Sequence, residues 1–175
     1  MRIIAGTCRG ARIFAPKGLD TRPTGDRVRE AAFTLVGPVD GASVLDLFAG
    51  SGAMGLEALS RGAASAVFVE SDRDACRTID RNLAKLRLTG ARVVCSDAVG
   101  FLATERGRYD LVFVDPPYEL VESQLMPLSS HLPRVLAENG VAVFESATKV
   151  EPELPLRVRA SRRYGAARIT LFEHE

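Results

Sequence analysis

From Ser43 onward, apolar runs with the length of strands alternate with stretches whose apolar positions recur at helical spacing. The apolar run that begins near Ser43 and ends at Asp46 to Phe48 reads as a strand, and a helix from Ala53 to about Ser60 closes at Gly62. Ala64 to Val69 reads as a second strand, followed by a helix in which Ala75, Ile79, Leu83 and Leu86 form a buried stripe. Ser71-Asp72-Arg73-Asp74 predicts its start as a capping box with Ser71 at the cap. Arg92 to Cys95, a short helix from Asp97 to Thr104, and Tyr109 to Val114 continue the alternation. Helical turns are expected over Val121 to Ala137, broken near Pro127 and Pro133, with Asn139-Gly140 as a C-cap before a strand Val141 to Glu145. Two last strands, Leu156 to Arg163 and Arg168 to Glu173, meet at Tyr164-Gly165-Ala166-Ala167.

Ahead of this series, Arg2 to Ala5 and Arg12 to Ala15 are short β-like runs that predict a hairpin or a pair of extended arms. Turn residues fill Gly18 to Gly25, and Asp26 can cap a helix Arg27 to Val36 whose face carries Val28, Ala31, Ala32 and Leu35, ended by Gly37-Pro38. The whole predicts an α/β chain: a doubly wound, mostly parallel, Rossmann-like sheet of seven strands over residues 26–175, with a small basic N-terminal extension over residues 1–25.

Composition narrows the class. With 175 residues and 46% hydrophobic content, the chain can bury one full core. No apolar run has the length of a membrane span, and the first residues lack a signal peptide's apolar core, so a cytoplasmic protein is expected. Cys8, Cys76 and Cys95 are widely spaced, and His131 and His174 have no neighbours at ligand spacing, so neither a disulfide framework nor a metal site is expected. The net charge of +1 hides an uneven distribution. Residues 1–36 hold seven basic and three acidic groups, residues 37–148 hold 10 and 15, and residues 149–175 hold six and four. Two basic ends flank an acidic middle, which suits either a solvated surface or a phosphate-binding rim around an acidic centre.

The first candidate for chemistry is Ser43 to Gly55, a strand, a glycine loop and a helix start. Gly50, Gly52 and Gly55 satisfy the dinucleotide spacing and also the outer spacing of a P-loop. Leu56 and Glu57 stand where a P-loop needs Lys and then Ser or Thr, which removes that reading. A ligand-free turn, a nicotinamide site and another nucleoside site remain. In sheets of this kind ligands bind beyond the carboxyl ends of the strands. Glu70 ends the second strand 18 positions beyond Gly52, where it can accept from ribose hydroxyls or act as a helix-start acid. Asp97 follows the third strand and can accept from an adenine amine or cap the next helix.

Asp115-Pro116-Pro117-Tyr118 follows the fourth strand. Two prolines stiffen the loop and remove donors, so it offers only acceptors: the Asp115 carboxylate and the backbone carbonyls. Such a loop can be an ordinary rigid turn or hold Mg²⁺, although the missing P-loop lysine weakens the latter. It also suits an exocyclic amine, whose two N–H groups would bond Asp115 and the Pro116 carbonyl while the ring stacks on Tyr118.

Taken together, the chain resembles the bacterial small-subunit ribosomal RNA guanine-N2 methyltransferases (RsmD type), within the Rossmann-like, class I S-adenosylmethionine-dependent methyltransferases. The resemblance runs over nearly the whole chain and rests on Arg2-Ile3-Ile4-Ala5-Gly6 with Arg9-Gly10, Thr21-Arg22-Pro23-Thr24 with Asp26-Arg27-Val28-Arg29-Glu30, Asp46 through Gly62, Asp115 to Tyr118, and Glu145-Ser146. It implies that Asp46, Phe48, Ala49, Gly50, Ser51, Gly52, Glu70 and Ser71 hold S-adenosylmethionine, with Asp97 and Ala98 at its adenine and Thr24 near its methionine end. It implies that Asp115, Pro116, Pro117 and Tyr118 hold the guanine amine and ring. The chain departs from the family at Tyr118, where Phe is common, and at Cys8, where an aromatic is common.

The expected substrate is therefore ribosomal RNA, within a small subunit or its assembly intermediate, with an unpaired or flipped guanine and a monomeric enzyme. Arg2, Arg9, Arg12, Arg22, Arg162 and Arg163 are the candidate phosphate contacts. An adenine-N6 or other exocyclic-amine methyltransferase on DNA or RNA, a nicotinamide oxidoreductase and a non-catalytic RNA-binding module are the competing readings.

Overall fold

The computed structural model describes residues 1–16, 25–117 and 121–175, with the backbone alone over residues 121–124. Its elements are α1 (Asp26–Val36), β1 (Ser43–Leu47), α2 (Ala53–Ser60), β2 (Ser65–Glu70), α3 (Arg73–Leu86), β3 (Ala91–Cys95), α4 (Ala98–Thr104), β4 (Tyr109–Val114), α5 (Val121–Val135), β5 (Leu136–Ala147), β6 (Arg157–Tyr164) and β7 (Ala167–Glu173). They build one seven-stranded sheet in the order β3-β2-β1-β4-β5-β7-β6, parallel from β3 to β5 and antiparallel at β7.

The inner strands β1, β4 and β5 bury both faces, as their apolar runs require of a parallel sheet. Val44, Phe68 and Phe113 point to one side, under α1, α2 and α3, where Ile3 and Ile13 of the N-terminal arm join the same core. Leu45, Val112 and Phe144 point to the other side, under α4 and α5. No helix among the described residues is long and apolar enough to cross a membrane.

The hairpin expected of the arm is present, and four other local expectations are corrected. The arm is a narrow hairpin closed by a single bridge, Arg2 with Arg12, because much of its backbone bonds to side chains on α2 and α3 instead of forming strands. Gly25 stands at the N-cap of α1, and Asp26, inside the helix, pairs with Arg2 and Arg29. The cap of α3 is Asp72, which accepts from the Ala75 N–H at 2.7 Å, while Ser71 lies outside the helix.

Helix α5 runs unbroken through Pro127 and Pro133. An interior proline costs about 3 kcal/mol, but Leu128, Leu132 and Val135 are fully buried and each contributes about 1.5–3 kcal/mol. Asn139-Gly140 is no helix cap but a bulge within β5, whose register with β4 shifts between Tyr109 and Leu111. A Cβ on Gly140 would lie 2.8 Å from the Tyr109 carbonyl oxygen, so glycine serves a close approach of two backbones.

Candidate active site

Register sets the site. Leu47 pairs with Val69 on one side and with Val114 on the other, so the next residues, Phe48, Glu70 and Asp115, stand level at the carboxyl edge. The order of strands reverses between β1 and β4, and a doubly wound sheet opens a crevice at that point.

The three glycines of the loop have different tasks. Gly50 has φ +55°, and among the described residues beyond its chain neighbours the sole atom within 4 Å of a Cβ built there is the Phe48 carbonyl oxygen at 4.0 Å. A ligand can therefore approach its backbone. Gly52, at φ +78°, packs against Ile79 and Phe68, and a Cβ on Gly55 would fall 2.3 Å from Phe68 Cε1. These two let α2 lie close on the sheet, so the spacing that suggested a ligand is shared with packing. Phe48 has φ +59°, a conformation rarely taken by a bulky residue, at the point where strand gives way to loop.

Carboxylates hold this turn. Glu70 Oε2 accepts the Gly50 N–H at 2.8 Å, and Oε1 accepts the Asp72 N–H at 2.9 Å and the Ser71 hydroxyl at 3.4 Å. Three donors leave room on a carboxylate that offers about four acceptor sites. Asp46, only 3% exposed, accepts the Gly55 N–H at 2.9 Å. Burial pushes its carboxyl up to about 7, opposed by the Gly55 hydrogen bond and reinforced by the nearby Glu70 charge. Asp97 caps α4 through Oδ1, which accepts the Gly100 N–H at 2.7 Å, and Ala98 is buried beside it.

The strand ends thus bring together Asp46, Phe48, Ala49, Gly50, Ser51, Gly52, Glu70 and Ser71, with Asp97 and Ala98 one strand further and Asp115 to Pro117 on the opposite neighbour. Asp115 is half-buried, Pro116 buried and Pro117 exposed. Thr24, Arg22 and Tyr118 lie outside the described residues. Arg2 and Arg12 face each other across the arm's bridge. Arg9 is at the arm's tip, where Thr7 and Cys8 bond to Ser60 at the far end of α2, away from the glycine loop. Arg162 and Arg163 are exposed near the end of β6, on the same edge as the glycine loop. Among the described residues no group of His, Cys, Asp and Glu could hold a metal ion.

Three buried polar residues escaped the sequence reading. Glu57, fully buried, accepts the Ile4 N–H at 2.8 Å, the Ala5 N–H at 2.9 Å and Arg61 Nε at 2.8 Å. Arg29, also fully buried, lies 3.6 Å from it through Nε, too far for a hydrogen bond, and donates through Nη2 to the Arg2 carbonyl at 2.6 Å. Asn82 accepts the Phe14 N–H at 2.7 Å and donates to the Phe14 and Ser51 carbonyls at 3.0 and 3.1 Å, joining arm to glycine loop. The one signal in the sequence was an acid standing alone in the apolar helix Ala53–Ser60.

The family model described as Conserved hypothetical protein 95 matches residues 1–173. Ribosomal RNA small subunit methyltransferase D of Escherichia coli K12 is 43% identical over 157 residues, covering 88% of this chain and 75% of that protein. The chain belongs to the ribosomal RNA small subunit methyltransferase D family. The Bacillus subtilis protein YlbH is 38% identical over 183 residues, covering 99% of this chain and 98% of its own. The solved structure of Escherichia coli yhhF superposes with a TM-score of 0.84 at 39% identity, over 100% of this chain and 99% of that one.

As a member of this family the chain is a methyltransferase with the class I sheet, and the antiparallel β6–β7 pair belongs to that architecture. The nicotinamide reading and the non-catalytic reading fall with this assignment.

Proposed function

We propose that the protein methylates the exocyclic N2 of a guanine in small-subunit ribosomal RNA, using S-adenosylmethionine, as a monomeric cytoplasmic enzyme acting on the subunit or its precursor. The observation that carries this reading is the level placement of Glu70, the glycine loop and Asp115-Pro116 on three adjacent strands at the switch in strand order. The E. coli relative's name, a ribosomal RNA small subunit methyltransferase, supports the substrate.

The residues present fit the cofactor. Gly50 leaves its backbone open to approach, Glu70 keeps acceptor capacity for ribose hydroxyls, and Asp97 has a second carboxylate oxygen beyond the one that caps α4. Phe48, Ala49, Ser51, Gly52 and Ser71 complete the wall around them, with Asp46 beneath, Ala98 at the adenine end and Thr24 at the methionine end. S-adenosylmethionine supplies a methyl group already activated on a sulfonium, so the protein's work is positioning.

Asp115 and the Pro116 carbonyl accept the two N–H bonds of the amine and turn its lone pair away from conjugation with the ring. Pro117 keeps the loop rigid and Tyr118 gives the base a stacking face. No strong base is required, because the methylated nitrogen is acidic and its proton leaves to Asp115 or to water. Asp115→Ala should keep cofactor affinity, read by calorimetry, and lose about a hundredfold or more in rate, the scale of one positioned polar group at a transition state. Radiolabelled methyl transfer to ribosomal particles followed by nucleoside analysis tests both points. Undiminished turnover would remove Asp115 from the chemistry, and N6-methyladenosine in place of N2-methylguanosine would redirect the substrate.

A further inference from the structure

Helix α3 carries Arg73, Arg77, Arg81 and Lys85 at four-residue spacing, so the four cations form one ridge along its exposed side. The opposite side of the helix buries Ala75, Ile79 and Asn82. Two acids share the exposed side: Asp74, which pairs with Arg77, and Asp80. Arg73, Arg81 and Lys85 form no ion pair with the described residues.

The lower half of the ridge is organised by the N-terminal arm. Phe14 is 40% exposed, yet its backbone is fixed by two hydrogen bonds to the buried Asn82. Arg81 and Lys85 each sit 4.5 Å from the centre of its ring. An aromatic pedestal that gathers two cations, with no carboxylate to neutralise them, preserves their field for an anion outside the protein. The upper end points to the active edge, since Arg73 follows Glu70 by three residues.

We propose that the α3 ridge, with Phe14 as its pedestal, is a track for the phosphate backbone of the substrate RNA. This rests on the reading above that the substrate is RNA. The occupant is nucleic acid, not protein, because the ridge is charged along its length and lacks the apolar centre of a protein interface. It also gives the sheet a basic group at each end. Arg162 and Arg163 lie on β6 and the ridge lies beside β2 and β3, about 30 Å apart for seven strands at ~4.8 Å spacing, with the candidate site between them. A backbone held at both ends crosses the carboxyl edge.

The test uses the full chain carrying R81E/K85E, with R108E, an exposed arginine on the loop before β4, as control. Binding to a small-subunit ribosomal RNA fragment is measured by anisotropy between 50 and 200 mM salt. Two lost phosphate contacts should lower the slope of log Kd against log salt by about 1.4–1.8. The ridge variant should also show a rise in Kd of at least about tenfold at the lower salt, and a raised KM with little change in kcat. The Kd for S-adenosylmethionine and the melting temperature should stay at wild-type values, and R108E should behave as wild type. R81A/K85A, which deletes charge without reversing it, should lower the slope equally and guards against a packing effect of the new carboxylates. If wild type binds and methylates RNA while the ridge variants keep its slope and Kd, the ridge is a solvated face and the inference is overturned. Loss of activity on assembled particles with unchanged binding to naked RNA would assign the ridge to a protein and overturn it as well. A wild type that binds no RNA at all would overturn the functional reading and this inference together.

Discussion

Asp46→Asn separates the buried carboxyl's charge from its hydrogen bond. The asparagine amide oxygen can still accept the Gly55 N–H that Asp46 accepts at 2.9 Å, and it carries no ionisable group. In the fold, burial and then Glu70 raise the Asp46 carboxyl from 3.8 to about 7. The native state therefore holds a proton that the unfolded chain has released. An acid shifted this way leaves the fold at full stability below about pH 4, and stability is lost as pH rises from there through about 7, above which the loss is complete. About three pH units at 1.36 kcal/mol each make that loss on the order of 4 kcal/mol. Urea denaturation of the cofactor-free protein at pH 4.5, 6 and 8 should show Asp46→Asn gaining on the wild type by about 3 kcal/mol across the range, since about 1 kcal/mol of the loss already falls below pH 4.5. Titrating groups that do not interact with Asp46 are common to both proteins and cancel in the difference. A wild-type-minus-variant difference that stays constant from pH 4.5 to 8 would refute the argument, and with it the idea that the glycine turn carries a stored electrostatic cost.

Two further substitutions test what holds the site in place. Glu57→Ala removes one of the two carboxylates beside the fully buried Arg29, leaving it Asp26, and takes the acceptor from the Ile4 and Ala5 N–H groups, and should cost about 3–5 kcal/mol, the scale of a broken buried ion pair. For a chain of this length that lowers the melting temperature by about 6–20 °C in calorimetry, and a loss below about 1 kcal/mol would show that the cluster does not pin the arm. Gly55→Ala places a methyl 2.3 Å from Phe68 Cε1 and should cost about 1–3 kcal/mol by overpacking, relieved in part by Phe68→Leu. An alanine variant as stable as wild type would mean that this glycine is not required for packing α2 on the sheet.

The strands were legible where burial on both faces left an uninterrupted apolar run, as over Leu111–Val114. The glycine loop and the acids behind it were legible because their partners are near in sequence: Glu70 bonds Gly50 across 20 positions, and Asp72 bonds Ala75 across three. Even so, the cap of α3 fell one residue from its expected place, since Ser71 and Asp72 both satisfy the local pattern and backbone direction decides between them. The prolines of α5 and the bulge at Asn139-Gly140 were misread for one reason: local propensity yields to the burial of Leu128, Leu132 and Leu136, which no window of sequence contains. Glu57 and Asn82 were out of reach because their decisive partners lie 53 and 68 residues away.

The near-neutral charge of the chain now has a spatial meaning. Asp46, Glu70, Asp97 and Asp115 stand in or just past the carboxyl ends of four neighbouring strands, β3-β2-β1-β4, spanning about 15 Å at ~4.8 Å per strand. An edge so rich in carboxylates repels phosphate, and burial weakens the screening of its field. It can admit a neutral base and a cationic sulfonium, both of which the proposed reaction requires. The cations stand to either side of it, on α3 and the arm at one end and on β6 at the other. Had basic groups been mixed among the acids, backbone and base would compete for the same crevice. On the proposed reading, segregating them lets the RNA backbone bind at the flanks while the base alone reaches Asp115.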